Sequence, residues 1–234
     1  MRALLFTTGS PFARAVRIVL DELGLDYERR EEVTTPSAEA RASSTPTLQV
    51  PTLWDGDHTL WESATIVEYL LATYQNRPAG EPALATSVFR MGDEWADKLT
   101  LATIQTFGSA ATTISQMKWS GVDAASNAHI KRSAEKLPYI LAWLERQLED
   151  ANTGFIPNCI SVQDIFLAAH VRFVEARPLG IDLELSRFPK LEALLNRLDD
   201  RTSFQANPVW WWEPGVVGYE PGGIPVYQGE NTIN

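Results

Sequence analysis

The sequence predicts a small α/β domain followed by a larger all-helical domain. Strand and helix patterns alternate over the first third of the 234 residues, whereas only helical patterns occur from residue 84 onward. Between the two regions, Pro78 and Pro82 interrupt the helical period and predict a linker. The expected division is residues 1–76, a linker at 77–83, a helical domain at 84–204, and an irregular tail, rich in Trp, Pro and Gly, at 205–234.

The first domain is expected to have the element order βαβ, a connection, and then ββα. Leu4–Phe6 predict a short buried strand, and a helical stripe of apolar residues follows until Gly24, a residue typical of helix ends. The stretch LDYERREEV predicts a second strand, and TTPSAEARASSTPT predicts a loop with one helical turn. Asp55-Gly56-Asp57 favours a tight hairpin turn between two short strands, and Glu62-Ser63 opens the next helix.

The helical domain contains one sharp local signal, Ser161-Val162-Gln163-Asp164. A serine followed three residues later by an acid is a capping-box pattern, and Ile160 and Ile165 can form a hydrophobic staple around it. This chemistry is structural, because it satisfies backbone donors at a helix start. Helices are expected over residues 84–118, 127–150, 162–177 and 188–200.

Composition excludes several classes of function. The net charge of −10 disfavours nucleic-acid binding, which needs a basic surface. The single cysteine, Cys159, excludes an internal disulfide and a dithiol redox cycle, and the three histidines are too far apart in sequence to suggest a metal site. No run approaches the roughly 18 apolar residues of a membrane span. We expect a cytoplasmic protein without a metal, and Cys159 is expected to be a small buried hydrophobe.

The stretch TTGSPFARAVRI places a serine at a predicted strand-to-helix corner. Pro11 suits the first helical position, so Ser10 is well placed as the N-cap. A hydroxyl at this corner can also hold a ligand, and Thr7 and Thr8 are weaker candidates for that role. The local sequence does not decide between a cap and a ligand contact.

Several motifs together resemble those of the glutathione S-transferase family, in its serine-type form. They are SPFARAVRIVL, VPTLW, ESATIVEYL and SVQDIFLAA, followed by LSRFPKLEALLNRLDDRTSFQ, and they span roughly residues 1–205. The resemblance implies a thioredoxin-like N-terminal domain, an all-α C-terminal domain and a homodimer.

The resemblance also implies a glutathione site in the first domain. Val50 and Pro51 match a cis X-Pro pair whose backbone contacts the cysteinyl part of glutathione, and Glu62 and Ser63 match the pair that holds the γ-glutamyl group. In isolation, Ser63 is equally consistent with a plain helix N-cap.

Three further residues belong to the implied glutathione site. Ser10 stands where the family has a serine or cysteine at the ligand's sulfur, and Phe12 is expected beside it. Gln49 occupies a position at which related proteins often have a lysine for the glycyl carboxylate. Because glutamine carries no charge, Arg14 is considered as a replacement cation.

The implied reaction is attack by the glutathione thiolate on an apolar, aromatic electrophile. Conjugation, dehalogenation and ether cleavage all fit. Gln105, Phe107, Met117 and Trp119 are candidates for the electrophile pocket, although residues of these types at helical spacing are common in cores. The alternatives are a non-catalytic binding protein of the same fold and a glutathione-dependent thiol reductase, which the serine at position 10 disfavours.

The last unassigned motif is Trp210-Trp211-Trp212. Three adjacent tryptophans are unfavourable in contact with water, so the tail is expected to fold back onto the protein. It either covers the pocket mouth or seals the domain surface, and we favour the second.

Overall fold

A computed structural model gives the arrangement of most of the chain. It describes residues 1–7, 9–32, 37–74, 82–122, 127–149, 153–177, 179–210, 216–220 and 224–227; for residue 119 and the last two ranges it describes the backbone.

The first domain is built on a four-stranded mixed sheet in the order β2-β1-β3-β4. Strand β1 is parallel to β2 and antiparallel to β3, and β3 is antiparallel to β4. The predicted βαβ-ββα order is confirmed. The elements are β1 (Arg2–Thr7), α1 (Pro11–Glu22), β2 (Glu28–Glu32), α2 (Ala38–Ala42), β3 (Thr52–Asp55), β4 (His58–Trp61) and α3 (Ser63–Tyr74).

The sequence explains the position of each strand in the sheet. Ala3–Phe6 of β1 are all buried, which suits a central strand. Strand β2 reads ERREE and is mostly exposed at the edge, where charged side chains discourage pairing with another sheet. Gly56, at a φ of +59°, forms the predicted turn between β3 and β4.

The second domain is helical, as predicted, but two of the expected helix boundaries were wrong. Residues 84–93 are not helical. At the start of this segment the Ala85 amide donates to the Ile160 carbonyl, and the Ile160 amide donates to the Ala83 carbonyl, so Leu84 forms an isolated β-bridge with Ile160 just before α7. The expected helix at 127–150 is two helices, since Pro138 has no N–H to continue the first. The elements are α4 (Glu94–Trp119), α5 (Ala128–Glu135), α6 (Leu137–Gln147), α7 (Val162–Glu175), a 3₁₀ turn (Leu185–Arg187), α8 (Pro189–Asp199) and α9 (Thr202–Gln205).

The predicted capping box at the start of α7 is confirmed. The Ser161 hydroxyl accepts from the Asp164 amide at 3.1 Å, and the Asp164 carboxylate accepts from the Ser161 amide at 2.8 Å. Asp164 also accepts from the Phe155 amide at 3.0 Å, which ties the preceding loop to the helix. Burial raises the pKa of the Asp164 carboxyl, and these hydrogen bonds partly offset that effect. Ile160 and Ile165, the expected staple, are both buried.

The tail was predicted to be irregular, and this was wrong for its last part. Strands β5 (Val216–Glu220) and β6 (Ile224–Tyr227) pair as an antiparallel hairpin. Both strands contain β-branched and aromatic residues, which favour sheets even without a clear period. Trp211 and Trp212 lie outside the described residues. Among the helices described, none has the length and apolar character needed to cross a membrane.

Candidate functional site

Three segments of the first domain meet at one end of its sheet. Leu5 of β1 lies opposite Thr52 of β3, and Thr52 lies opposite Trp61 of β4. The end of β1, the start of β3 and the end of β4 therefore lie at the same end of the sheet. The residues that follow or precede these strand ends are Ser10, the Val50-Pro51 pair, and the Glu62-Ser63 pair.

Ser10 is the N-cap of α1, as predicted. Its Oγ accepts from the Ala13 amide at 3.2 Å, and its own amide donates to the Thr7 carbonyl at 3.1 Å. The cap uses the oxygen only as an acceptor, so the hydroxyl proton is left to donate to a ligand. A cap and a ligand contact are therefore compatible at Ser10. Thr7 ends β1, and Thr8 lies outside the described residues.

The Val50–Pro51 peptide bond is cis, as the resemblance implied. Pro51 is buried and Val50 is half-buried, so this peptide, just before β3, is partly accessible to a ligand. Gln49 is exposed, and Leu48 before it has a φ of +58°, in the left-handed region. Gln49 can thus reach a ligand from the solvent side.

The N-terminus of helix α3 lies at the same end of the sheet. The first intrahelical bond joins the Ile66 amide to the Glu62 carbonyl at 3.0 Å, so Glu62 holds the N-cap position. The reading of Ser63 as an N-cap was wrong, because Ser63 is the first helical residue and is buried. Glu62 is exposed and has a φ of +65°, an unfavourable backbone conformation of the kind that concentrates at binding sites.

Arg14 does not replace the missing lysine. The residue is only 5% exposed; its guanidinium donates from Nε to the Asn207 carbonyl at 2.7 Å and packs over the Phe204 ring. Burial lowers the pKa of Arg14 to about 10. Arg14 therefore holds the end of the helical domain against α1, and the expectation that it compensates for Gln49 was wrong.

Phe12 connects the start of α1 to the helical domain. Its ring meets the His170 ring edge-on, with centroids 4.6 Å apart. The His170 imidazole also lies against Gly108 of α4, where even a methyl group would clash with it. The contact Phe12–His170–Gly108 thus brings α1, α7 and α4 together beside Ser10.

No function was predicted for His170 from the sequence, whereas the structure places it in this contact. Its ring is fully buried, and within the described part of the chain neither ring nitrogen has a hydrogen-bond partner. Burial lowers the pKa of His170 to about 3, so the ring is neutral at physiological pH. A glycine inside a helical pattern, Gly108, was the available signal for such a close approach.

The four candidate electrophile residues do not form one group. Gln105 lies one turn before Gly108, is half-buried, and its Nε2 is enclosed with no partner among the described residues. Phe107 is fully buried in the core, so its assignment to an open pocket was wrong. Met117 is half-buried and packs on the core. The helical rise puts Trp119 about 21 Å from Gln105, too far for both to contact one small ligand.

Cys159 lies away from this site, in the loop before α7. It is half-buried rather than fully buried, and burial raises the pKa of its thiol to about 11. The thiol is therefore protonated at neutral pH and is a weak nucleophile. Among the described residues, no three His, Cys, Asp or Glu side chains are grouped as metal ligands.

Two family models match the chain in the order that the two domains require. The model for the glutathione S-transferase N-terminal domain matches residues 4–78, and that for the C-terminal domain matches residues 127–197. The chain belongs to the glutathione S-transferase family. Its mixed sheet and helical domain are the thioredoxin-like and all-α domains of that fold.

Solved structures of glutathione S-transferases share this fold. One from Methylobacterium radiotolerans, in complex with glutathione sulfonate, is 25% identical with a TM-score of 0.73, over 88% of this chain and 93% of that one. One from Methylobacillus flagellatus with glutathione bound is 22% identical with a TM-score of 0.74, over 88% and 98%. One from Rhodospirillum rubrum is 21% identical with a TM-score of 0.71, over 92% and 94%. No curated protein matches the chain.

Proposed function

We propose that this protein is a glutathione transferase that activates the glutathione thiol at Ser10. The observation that carries the proposal is the meeting of three groups at one end of the sheet. These are the Ser10 hydroxyl at the N-terminus of α1, the backbone of Val50 just before β3, and the N-terminus of α3 at Ser63. The glutathione compounds bound in the Methylobacterium and Methylobacillus proteins support the choice of ligand.

Glutathione has charged groups at both ends, and the proposed site matches them in order. The first-turn amides of α3 and the Ser63 hydroxyl receive the γ-glutamyl carboxylate, since helix N-termini bind anions. The exposed Glu62 carboxylate pairs with the ligand's ammonium group. The backbone at Val50 binds the cysteinyl part, and Gln49 donates a neutral hydrogen bond to the glycyl carboxylate.

The reaction begins with loss of the thiol proton to water. A free thiol has a pKa of about 8.5, and both the Ser10 hydroxyl proton and the N-terminus of α1 favour the thiolate. The sulfur electron pair then forms a bond to the electrophilic carbon. In a displacement, the leaving group departs with its own electron pair; in an addition, the carbon centre takes a proton from water.

The electrophile is proposed to lie between the start of α1 and the face of α4 around Gly108. Phe12 supplies an apolar wall there, and the enclosed amide of Gln105 supplies one donor. This surface suits an apolar, aromatic compound with a single polar acceptor. Conjugation, dehalogenation and ether cleavage remain equivalent choices for it. Reduced glutathione is abundant in the cytoplasm, where we place the reaction.

A thiol reductase is the weaker proposal. It requires a nucleophilic cysteine at the glutathione sulfur, where this chain has Ser10. The single cysteine, Cys159, belongs to the loop before α7 and has a raised thiol pKa. A non-catalytic binding protein is the outcome if glutathione binds and no electrophile is consumed.

We also propose that two copies of the chain form a homodimer through the start of α4. Trp95 and Leu99 lie one helical turn apart and Met91 lies just before them; all three are exposed, Trp95 at 81%. Large apolar side chains exposed close together on one helix favour association. Sedimentation velocity tests this: wild type is expected to be a dimer and Trp95→Glu a monomer, while Tyr139→Glu, at an exposed position of α6, is expected to leave the dimer intact. A monomeric wild type contradicts the assignment.

Calorimetric titration with reduced glutathione tests the site directly. We expect saturable binding to the wild type, and binding at least about 10-fold weaker in Ser63→Ala, which loses a hydrogen bond to a charged group. The affinity of Ser10→Ala for glutathione is expected to lie within about threefold of that of the wild type, because Ser10 is proposed to contact the sulfur and not the charged ends of the ligand. Absence of binding at millimolar glutathione would falsify the proposal.

A further inference from the structure

Arg177 joins the loop before Ser10 to the start of the tail. It lies two residues beyond the end of α7 and is only 8% exposed. Its Nη2 donates to the Gly9 carbonyl at 2.9 Å and to the Trp210 carbonyl at 3.1 Å. One nitrogen of the helical domain therefore binds two segments that lie about 200 residues apart in sequence.

The Arg177 guanidinium is itself held in one orientation. Its central carbon lies 3.7 Å from the centroid of the Phe173 ring, one helical turn earlier on α7. Phe173 is buried, so the ring is fixed by the core. Stacking of a guanidinium on an aromatic ring is favourable and limits its rotation. Through Arg177, the two accepting carbonyls are therefore held in position relative to the core of the helical domain.

The bond to Gly9 determines the orientation of the peptide that carries Ser10. The carbonyl of Gly9 and the amide of Ser10 belong to one planar unit. Arg177 binds the carbonyl end of this unit, and Thr7 accepts from the amide end at 3.1 Å. Glycine has the widest range of backbone conformations of any residue, so a hydrogen bond to the Gly9 carbonyl limits a backbone that is otherwise free to vary.

The tail segment reaches the same point along α1. Asn207 donates from its side chain to Asp21 at 2.5 Å near the end of α1, and its carbonyl accepts from Arg14 in the first half of the helix. Trp210 then meets Arg177 beside Gly9. Residues 207–210 therefore run from the C-terminal half of α1 to its N-terminus, where Ser10 lies.

We propose that Arg177 is a positioning residue for Ser10, which it sets through the Gly9–Ser10 peptide while fixing Trp210 at the edge of the same site. The proposal rests on the proposed function for its effect on turnover, but the hold on Gly9 and Trp210 is independent of it. A lysine is a poor substitute, because a guanidinium has a planar, stackable group and an ammonium does not.

The test compares Arg177→Met and Arg177→Lys with the control Arg172→Met. Arg172 lies near the end of α7 and pairs with Glu175 and Asp199, both at 2.6 Å, so its loss removes two ion pairs of α7 without touching Gly9. Hydrogen exchange is measured over residues 9–13 and 207–210. In Arg177→Met we expect both segments to exchange about 10-fold faster or more, with a smaller increase in Arg177→Lys and none in Arg172→Met.

Turnover and the thiol pKa give the functional readout. A displaced catalytic group can cost about 100-fold in rate, so kcat in Arg177→Met is expected to fall by about 10- to 100-fold while the KM for glutathione changes by less than about threefold. The pKa of bound glutathione, measured from thiolate absorbance against pH, is expected to rise. Arg172→Met leaves both quantities unchanged.

The outcomes separate this proposal from the proposed function. If Arg177→Met unfolds at a lower temperature but keeps its exchange rates at 9–13, its kcat and its bound-thiol pKa, Arg177 is merely structural and the proposal is overturned. If the wild type does not bind glutathione, the transferase proposal fails, and hydrogen exchange alone still decides whether Arg177 holds Gly9 and Trp210. If the methionine variant does not fold, the lysine variant carries the same measurements.

Discussion

Helices α1 and α7 both begin with a serine cap of nearly the same geometry, but only the cap of α7 is closed by an acidic side chain. Ser10 accepts from the Ala13 amide at 3.2 Å, and Ser161 accepts from the Asp164 amide at 3.1 Å. Ser161 is fully buried, and the Asp164 carboxylate completes its cap. Ser10 is half-buried, and an alanine stands where the acid would be.

The difference in charge between the two caps separates structure from function. The first turn of α7 contains the carboxylate of Asp164, which offsets the partial positive charge of that helix end. The first turn of α1 contains no acidic residue. Its positive end has no carboxylate from its own first turn to offset it, which supports our proposal that it faces the glutathione thiolate. A similar serine cap thus stabilises the fold at α7 and is proposed to bind a ligand at α1.

The largest expected effect is on the closed cap. Asp164→Ala removes the acceptor of two buried amides, those of Ser161 and Phe155, and should lower the free energy of unfolding by about 3 to 5 kcal/mol. Denaturant unfolding measures this. Asp164→Asn keeps one acceptor oxygen and should lose less. Equal stability of the alanine variant and the wild type would mean that the box does not secure α7.

The open cap should respond in the opposite way. Ser10→Ala removes the proposed donor to the sulfur, and loss of one such donor costs about 100- to 1000-fold in kcat. The cost in stability should be only about 1 kcal/mol, as for other N-cap serines. Steady-state kinetics with a chromogenic electrophile measure the first quantity, and thermal unfolding measures the second. A proportional loss of stability and activity would assign Ser10 to the fold alone.

The sequence could predict both caps because each depends on residues within three positions of the serine. The hairpin turn at Gly56 and the order of strands and helices along the first domain were predictable because they too depend on local sequence patterns. Phe107 and Arg14 were misassigned because their environments come from distant parts of the chain: Arg14 binds Asn207, 193 positions away. Arg177 and Gly9, 168 positions apart, likewise give no local signal.

The contact between Phe12 of α1 and His170 of α7 should make the stability of the protein depend on pH. Unfolded His170 binds a proton below about pH 6.5, whereas the folded protein holds its pKa at about 3, so between these values the unfolded state binds more protons. The free energy of unfolding should therefore fall with decreasing pH in this window, with a contribution from His170 of about 1 kcal/mol per pH unit.

His170→Met tests this contribution, because methionine fills the space beside Phe12 without a titratable group. Its unfolding free energy should depend less on pH than that of the wild type between about pH 6.5 and 4. The raised pKa of Asp164 acts in the opposite direction, but it is present in both proteins and cancels in the difference. His129→Gln, at an exposed position, should retain the wild-type slope. Parallel curves for His170→Met and the wild type would exclude His170 as the source.

The smallest expected effect on turnover is that of Ser161→Ala, which serves as the control for Ser10→Ala. Ser161→Ala removes the same kind of hydrogen bond as Ser10→Ala and should cost about 1 to 2 kcal/mol in unfolding free energy, the upper value because Ser161 is fully buried. Its kcat should match that of the wild type, since the bond lies in the helical domain and away from the sheet edge. If Ser161→Ala lost as much turnover as Ser10→Ala, the rate would follow the general stability of helix starts, and the open cap would have no special chemistry.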